Sequence, residues 1–149
     1  MIDILQTQVF QLVAPQSLNG AEGTSTYVDT QNVDWVRVVF GFGVIGAVDT
    51  GVAVVTECAT SGGSYTSITG SGATLLNTDD GTIIITDVDY RNKGSHLRFL
   101  KASFTAGAAA TLAYALAIVQ PKLTPTSISN VGAGWDGTTV IAVKAWNQV

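Results

Sequence analysis

The sequence predicts an all-β fold, an antiparallel β-sandwich or jelly roll of about eight strands. Three observations lead there. Short runs rich in Val, Ile, Thr and aromatic residues recur along most of the chain with period-two alternation. Glycine, asparagine and aspartate cluster between those runs, where turns are needed. No stretch carries a convincing apolar stripe at helical spacing.

Taken in order, residues 7–13 (TQVFQLV) alternate and are expected to stop at Pro15, which cannot donate to a ladder. Asn19-Gly20 is a turn dipeptide, and a short strand is expected at 26–29. Residues 34–42 (DWVRVVFGF) have two apolar-rich faces, Val36, Val38 and Phe40 against Trp35, Arg37 and Val39, which suits the middle of a packed structure. Trp35 reads most simply as core. Residues 51–59 (GVAVVTECA) form the next strand, then come a loop at 60–64 and a short strand at 65–69 that Gly70-Ser71-Gly72 breaks. The run Asn77-Thr78-Asp79-Asp80-Gly81 predicts a hairpin turn in which glycine supplies positive φ.

Strands are then expected at 82–88 (TIIITDV), 96–104 (HLRFLKASF) and 111–120 (TLAYALAIVQ). In the last, Leu112, Tyr114, Leu116 and Ile118 share one face and Ala113, Ala115 and Ala117 the other. The alanine content of 106–119 favours a helix, but the alternation and Gly107 favour a strand. Beyond Pro121 the composition changes, with Pro125, Gly132 and Gly134 preceding a last apolar segment, 138–146 (TTVIAVKAW). The chain therefore divides into a sandwich domain, 1–121, and a C-terminal extension, 122–149. The extension is either a final strand of the same domain or an arm that adds a strand to a neighbouring subunit. Trp135, Trp146, Val140, Ile141 and Val143 are its candidate interface residues, since tryptophan is enriched where interfaces concentrate their energy.

Composition bounds the function. The 149 residues fit one domain; 46% are hydrophobic and only 12% charged, against about 25% charged in an ordinary soluble domain. The polar surface must then be mostly Thr, Ser, Gly, Asn and Gln, which lose water against another protein more cheaply than Lys or Glu do. Low charge thus points to an assembled protein. The net charge is −4, with no basic patch, so nucleic-acid binding lacks its electrostatic footprint. Cys58, the single cysteine, excludes an internal disulfide and reads as a buried small hydrophobe. Residues 1–8 lack the positive-then-apolar order of a secretory signal, and 106–119 is too short to span a bilayer.

The residues that could carry chemistry do not converge. His96 is the sole histidine and lies far from Cys58 in sequence, so zinc lacks its usual ligands. A nucleophile–histidine–acid arrangement would need His96, expected at a strand edge, and nothing marks a nucleophile for it. The serines beside glycine, at 63–64 and 70–72, do not form a G-x-S-x-G elbow. Asp79-Asp80-Gly81 and Asp87-Val88-Asp89 miss the ligand spacing of a calcium loop, and Asp87 and Asp89 are expected on one solvated face or paired with Arg91. Gly41-x-Gly43-x-x-Gly46 matches a dinucleotide fingerprint in spacing alone, because residues 47–51 run into another strand instead of a helix. The expectation is a protein with no catalytic residue, cofactor or metal, and not an enzyme.

The order of segments resembles a class of small virion structural proteins of tailed bacteriophages. The resemblance rests on residues 14–20 (APQSLNG), 24–30 (TSTYVDT), the strand at 34–40, VVTECA, Ser-Tyr-Thr-Ser-Ile at 64–68, the Asp-Asp-Gly turn at 79–81 and Asp-x-Asp-x-Arg at 87–91. It closes on the strand at 96–105 and an Ala-rich strand ending at a proline, and so covers roughly residues 9–122; 122–149 departs from it. The resemblance implies a head decoration, or cement, protein: a β-sandwich used as a homotrimer on the capsid exterior, bound to the major capsid protein and stabilising the shell through many weak contacts. The alternative it leaves is a tail, baseplate or fibre-associated component that binds a host-surface glycan, with Tyr65 or Trp135 exposed over a concave site.

Overall fold

A computed structural model describes residues 7–18, 25–45, 50–91, 96–106 and 111–121. Among them are nine strands: β1 (Gln8–Leu18), β2 (Tyr27–Asp29), β3 (Val33–Phe42), β4 (Thr50–Cys58), β5 (Thr66–Ser67), β6 (Ala73–Leu76), β7 (Ile83–Asp89), β8 (Phe99–Ala106) and β9 (Thr111–Pro121). No helix occurs among the described residues. The strands form two antiparallel sheets, the first ordered β1-β9-β3-β7 and the second β2-β8-β4-β5, with β6 also pairing β4. The expected all-β sandwich is present.

Alternation decides what lies between the sheets. From the first come Phe10, Val36, Val38, Phe40, Val88 and Val119, and from the second Val28, Val55, Leu100, Ala102 and Phe104, all buried. Phe104 of β8 meets Phe40 and Phe42 of β3 edge-on, at ring-centroid distances of 6.2 and 5.8 Å, and so ties the sheets together. Strand β9 turns its alanines inward: Ala113, Ala115 and Ala117 are each 0% exposed. The register explains why. Ala113 lies opposite Phe42, Ala115 opposite Phe40 and Ala117 opposite both Val38 and Phe10, so small residues on β9 leave room for large neighbours. The larger residues of β9 consequently point away from the core.

Several expectations are corrected. β1 runs past Pro15 to Leu18; it is an edge strand, and register shifts between Gln11 and Val13 and between Val13 and Gln16 accommodate a residue without an N–H. The Asp-Asp-Gly turn does hold Gly81 at φ +70°, and Asp79 caps it by accepting from the Leu76 amide at 2.8 Å. It is not a hairpin, however, because β6 belongs to the second sheet and β7 to the first. Strand β8 begins at Phe99, three residues after His96, and β6 has no counterpart among the expected strands. Residues 122–149, the expected extension, lie outside the described residues.

Candidate assembly surface

The outward face of the first sheet is built by the same alternation that builds the core. Its registers set side chains in rows across the strands: Gln11, Leu116, Val39 and Ile85; Val9, Ile118, Arg37 and Asp87; Tyr114, Gly41 and Ile83; Gln120, Trp35 and Asp89. Ile83 and Ile85 are 56% exposed and Leu112, further along β9, 54%. Val9, Val39, Leu116 and Ile118 are half-buried. The result is an apolar surface across all four strands, with charged residues in two neighbouring rows, Arg37 and Asp87 in one and Asp89 in the other.

Trp35 is the main correction here. It is half-buried on this outer face and not in the core, and the Arg37 guanidinium lies 4.9 Å from its ring centroid. Arg37 is held there by a two-pronged pair with Asp87, both contacts 2.8 Å. Asp89 pairs with Arg91 (2.9 and 2.6 Å), whose side-chain and backbone hydrogen bonds pull the Asp89 carboxyl down to about 2. Tyr114 lays its ring over Gly41, where a Cβ would run into it. The absence of a side chain at 41 is therefore what lets an aromatic cap β3 from the next strand.

The second sheet's outward face has a different chemistry. Thr74, Val52 and Thr105 form one row, Val54 and Ser103 another, and Ser67, Thr56, Lys101 and Tyr27 a third. Hydroxyls and an ammonium interrupt the apolar side chains. Its edges are short, β2 with 3 residues and β5 with 2, and short edges resist further pairing. The first sheet's β7 is a seven-residue edge bearing Ile83 and Ile85, and no second strand pairs with it among the described residues.

The groups around His96 make structural contacts. A cleft of about 210 Å³ is lined by Thr30, Gln31, Tyr90, His96, Leu97 and Arg98. Glu57, at the end of β4, lies 3.2 Å from His96 Nδ1 and accepts from the Leu97 amide at 2.9 Å. Arg98 donates twice to the buried Asp29, at 2.9 and 2.6 Å, and Thr30 donates to the Arg98 carbonyl at 2.6 Å. These contacts fasten the chain before β8 to the ends of β2 and β4. The Tyr90 ring packs 5.4 Å from the His96 ring; burial pushes the Tyr90 hydroxyl up, and it makes no well-formed hydrogen bond, although Thr30 lies beside it. The cleft is thus a polar clasp with no hydroxyl or thiol nucleophile hydrogen-bonded to His96 among the described residues.

Tyr65, expected over a concave site in a glycan binder, is absent from this cleft. Its hydroxyl donates to Ser61 O at 3.1 Å, the Lys101 ammonium covers its ring at 4.3 Å, and burial pushes it up to about 12. Cys58 is buried. Asp87 and Asp89 share a face, as alternation requires, but Asp87 pairs with Arg37. Trp135, Val140, Ile141, Val143 and Trp146 lie outside the described residues. The surface residues that sequence reasoning missed, Leu116, Ile118, Ile83 and Ile85, are legible as alternating apolar positions; the missing information is which face of each strand looks inward.

No family model and no curated protein matches this chain. Among solved structures, it is similar to a protein of the Bacillus endospore appendages, which "form a novel family of disulfide-linked pili". The identity is 11% over 82% of this chain and 94% of that one, with a TM-score of 0.44, a likeness too distant to carry a functional argument.

Proposed function

We propose that this chain is a non-catalytic structural subunit that works by packing against other protein surfaces, and more specifically a capsid decoration protein of a tailed bacteriophage. The observation that carries the first part is the outward face of the first sheet, where large apolar side chains stand outside while alanines fill the inside of the same strand. A monomer with no partner gains nothing from that arrangement, whereas contiguous exposed apolar surface marks interaction sites. Low charge, 12% of residues, supports the same reading because few ions have to be desolvated on contact. The more specific part rests on the order of segments, which resembles that of small phage virion proteins. A decoration protein needs a rigid sheet scaffold and repeated modest contacts that add through multivalency.

The test is to separate heads from tails of particles containing this chain on a gradient and to quantify it in each fraction by mass spectrometry. Hundreds of copies on heads, removable without loss of the shell, are expected. A few copies on tails would replace decoration by a tail or fibre role. Absence from both would remove the virion assignment.

A further inference from the structure

We infer that the apolar outward face of the first sheet is a self-association surface, and that its occupant is the same face of a second copy of this chain. This rests on the reading of the chain as a structural subunit and names the partner for one of its surfaces. Two features of the face favour a second copy, and a third sets how strongly it is held.

The first is charge. The chain as a whole carries −4, so two copies repel each other on average. On this face the charges cancel in pairs, Arg37 with Asp87 and Asp89 with Arg91. Like-charge repulsion between copies that meet by this face is therefore weak. The second is residue type. Trp35, Tyr114 and Arg37 belong to the residue types that dominate interface energetics, and Arg37 is already oriented by Asp87 and the Trp35 ring, so little side-chain freedom remains to be lost on contact.

The third is area. Four strands about 4.8 Å apart and about seven residues long at roughly 3.3 Å each give a footprint near 440 Å² per copy, or about 900 Å² for a pair. A stable standard interface buries about 1,200–2,000 Å² in total. The pair is therefore weak on its own, as suits a subunit whose hold on its assembly comes from many contacts. Two sheets stacked by the same face are related by a two-fold axis, so the unit formed through this face is a dimer and not a trimer.

The experiment is sedimentation velocity of the full chain from about 5 to 500 μM. It compares the unaltered protein with Leu116→Glu in the centre of the face, Ile85→Glu at its β7 rim, and Ser103→Glu on the opposite sheet. The expected result is a monomer–dimer equilibrium that both first-sheet changes weaken at least tenfold, with Ser103→Glu unchanged. Circular dichroism of each variant shows that it is folded. A photo-crosslinking residue at position 85 adds a second readout, which should join two copies through peptides of β9 or β3. Several outcomes would overturn the inference. These are a monomer throughout, a trimer indifferent to Leu116→Glu, association sensitive to Ile85→Glu alone (edge-to-edge pairing), or crosslinks from 85 to residues 122–149 of the same chain. If the chain is monomeric yet Leu116→Glu abolishes its retention on particles, the face serves a different protein: the self-pairing fails and the structural-subunit reading survives. If neither association nor retention depends on this face, both fall.

Discussion

The two sheets present the same kind of face to each other and different kinds to the outside. Inward, both offer Val, Leu, Ala and Phe, clasped around Phe104. Outward, the second sheet mixes Ser, Thr and Lys with a few valines, whereas the first is largely Val, Leu, Ile, Tyr and Trp with paired charges along one side. Strand β9 shows how this arises. Its inward positions must be small because Phe40, Phe42 and Phe10 fill the space beside them, so bulky apolar residues on its other side cannot be serving this core. Hydrophobic alternation identifies a strand with two distinct faces; which one is core depends on the volume left by the neighbouring strands.

The largest effect should fall on both sheets together. Phe104→Ala removes the ring joining β8 to β3 and should lower unfolding stability by about 3–5 kcal/mol in a single cooperative denaturation; two separate transitions would mean that the sheets are not one unit. Next is a change confined to the second sheet. The buried Ser71 hydroxyl accepts from the Val55 amide at 3.1 Å and donates to Ile68 O at 2.8 Å, bridging the gap between β5 and β6 along β4. Ser71→Ala leaves the Val55 amide unsatisfied and should cost about 1–3 kcal/mol by urea unfolding, without altering self-association.

Two glycines sharpen the contrast at smaller scale. Gly41→Ala must displace the Tyr114 ring, and because that ring can swing the expected cost is about 1 kcal/mol, with a shifted Tyr114 ring resonance and weaker association. At Gly72, on the second sheet, a Cβ would sit 3.7 Å from Val54 Cγ2, an ordinary contact, so Gly72→Ala should leave both quantities unchanged. The smallest effect concerns Asp89. Its folded pKa, about 2, is depressed below the ordinary 3.8. Its contribution to stability is therefore present above pH 3.8 and lost as the pH falls through about 2. The pair is solvent-exposed and screened, so that contribution is slight. An NMR titration should place the Asp89 carboxyl near 2 and move it up toward, but not fully to, the ordinary carboxylate range in Arg91→Ala, because the residue-91 amide still donates to it.

Much of the fold is legible in the sequence because its strands carry strong period-two patterns; β3, β4, β7 and β9 lie within a residue or two of where alternation puts them. Pro15 misleads because a proline stops a central strand but not an irregular edge strand. The Asp-Asp-Gly turn misleads because the left-handed glycine is visible in sequence, whereas the sheet that each flanking strand joins is not. Trp35 reads as core because size and hydrophobicity usually imply burial in the chain's own interior; that rule fails where a sheet's outer face is also apolar. The clasp of Glu57, His96, Asp29 and Arg98 is invisible for another reason: it joins residues 39 and 69 positions apart, and no local spacing announces it.

The most direct test of the central claim, that the first sheet's outward face is the assembling surface, is carbene footprinting with residue-level mass spectrometry on the chain free at low concentration and in its assembled state. The expected result is loss of labelling at Ile83, Ile85, Leu112 and Leu116 on assembly, with Ser103, Thr105 and Thr74 unchanged. Protection of the second sheet's residues with the first sheet's still fully labelled would contradict the account.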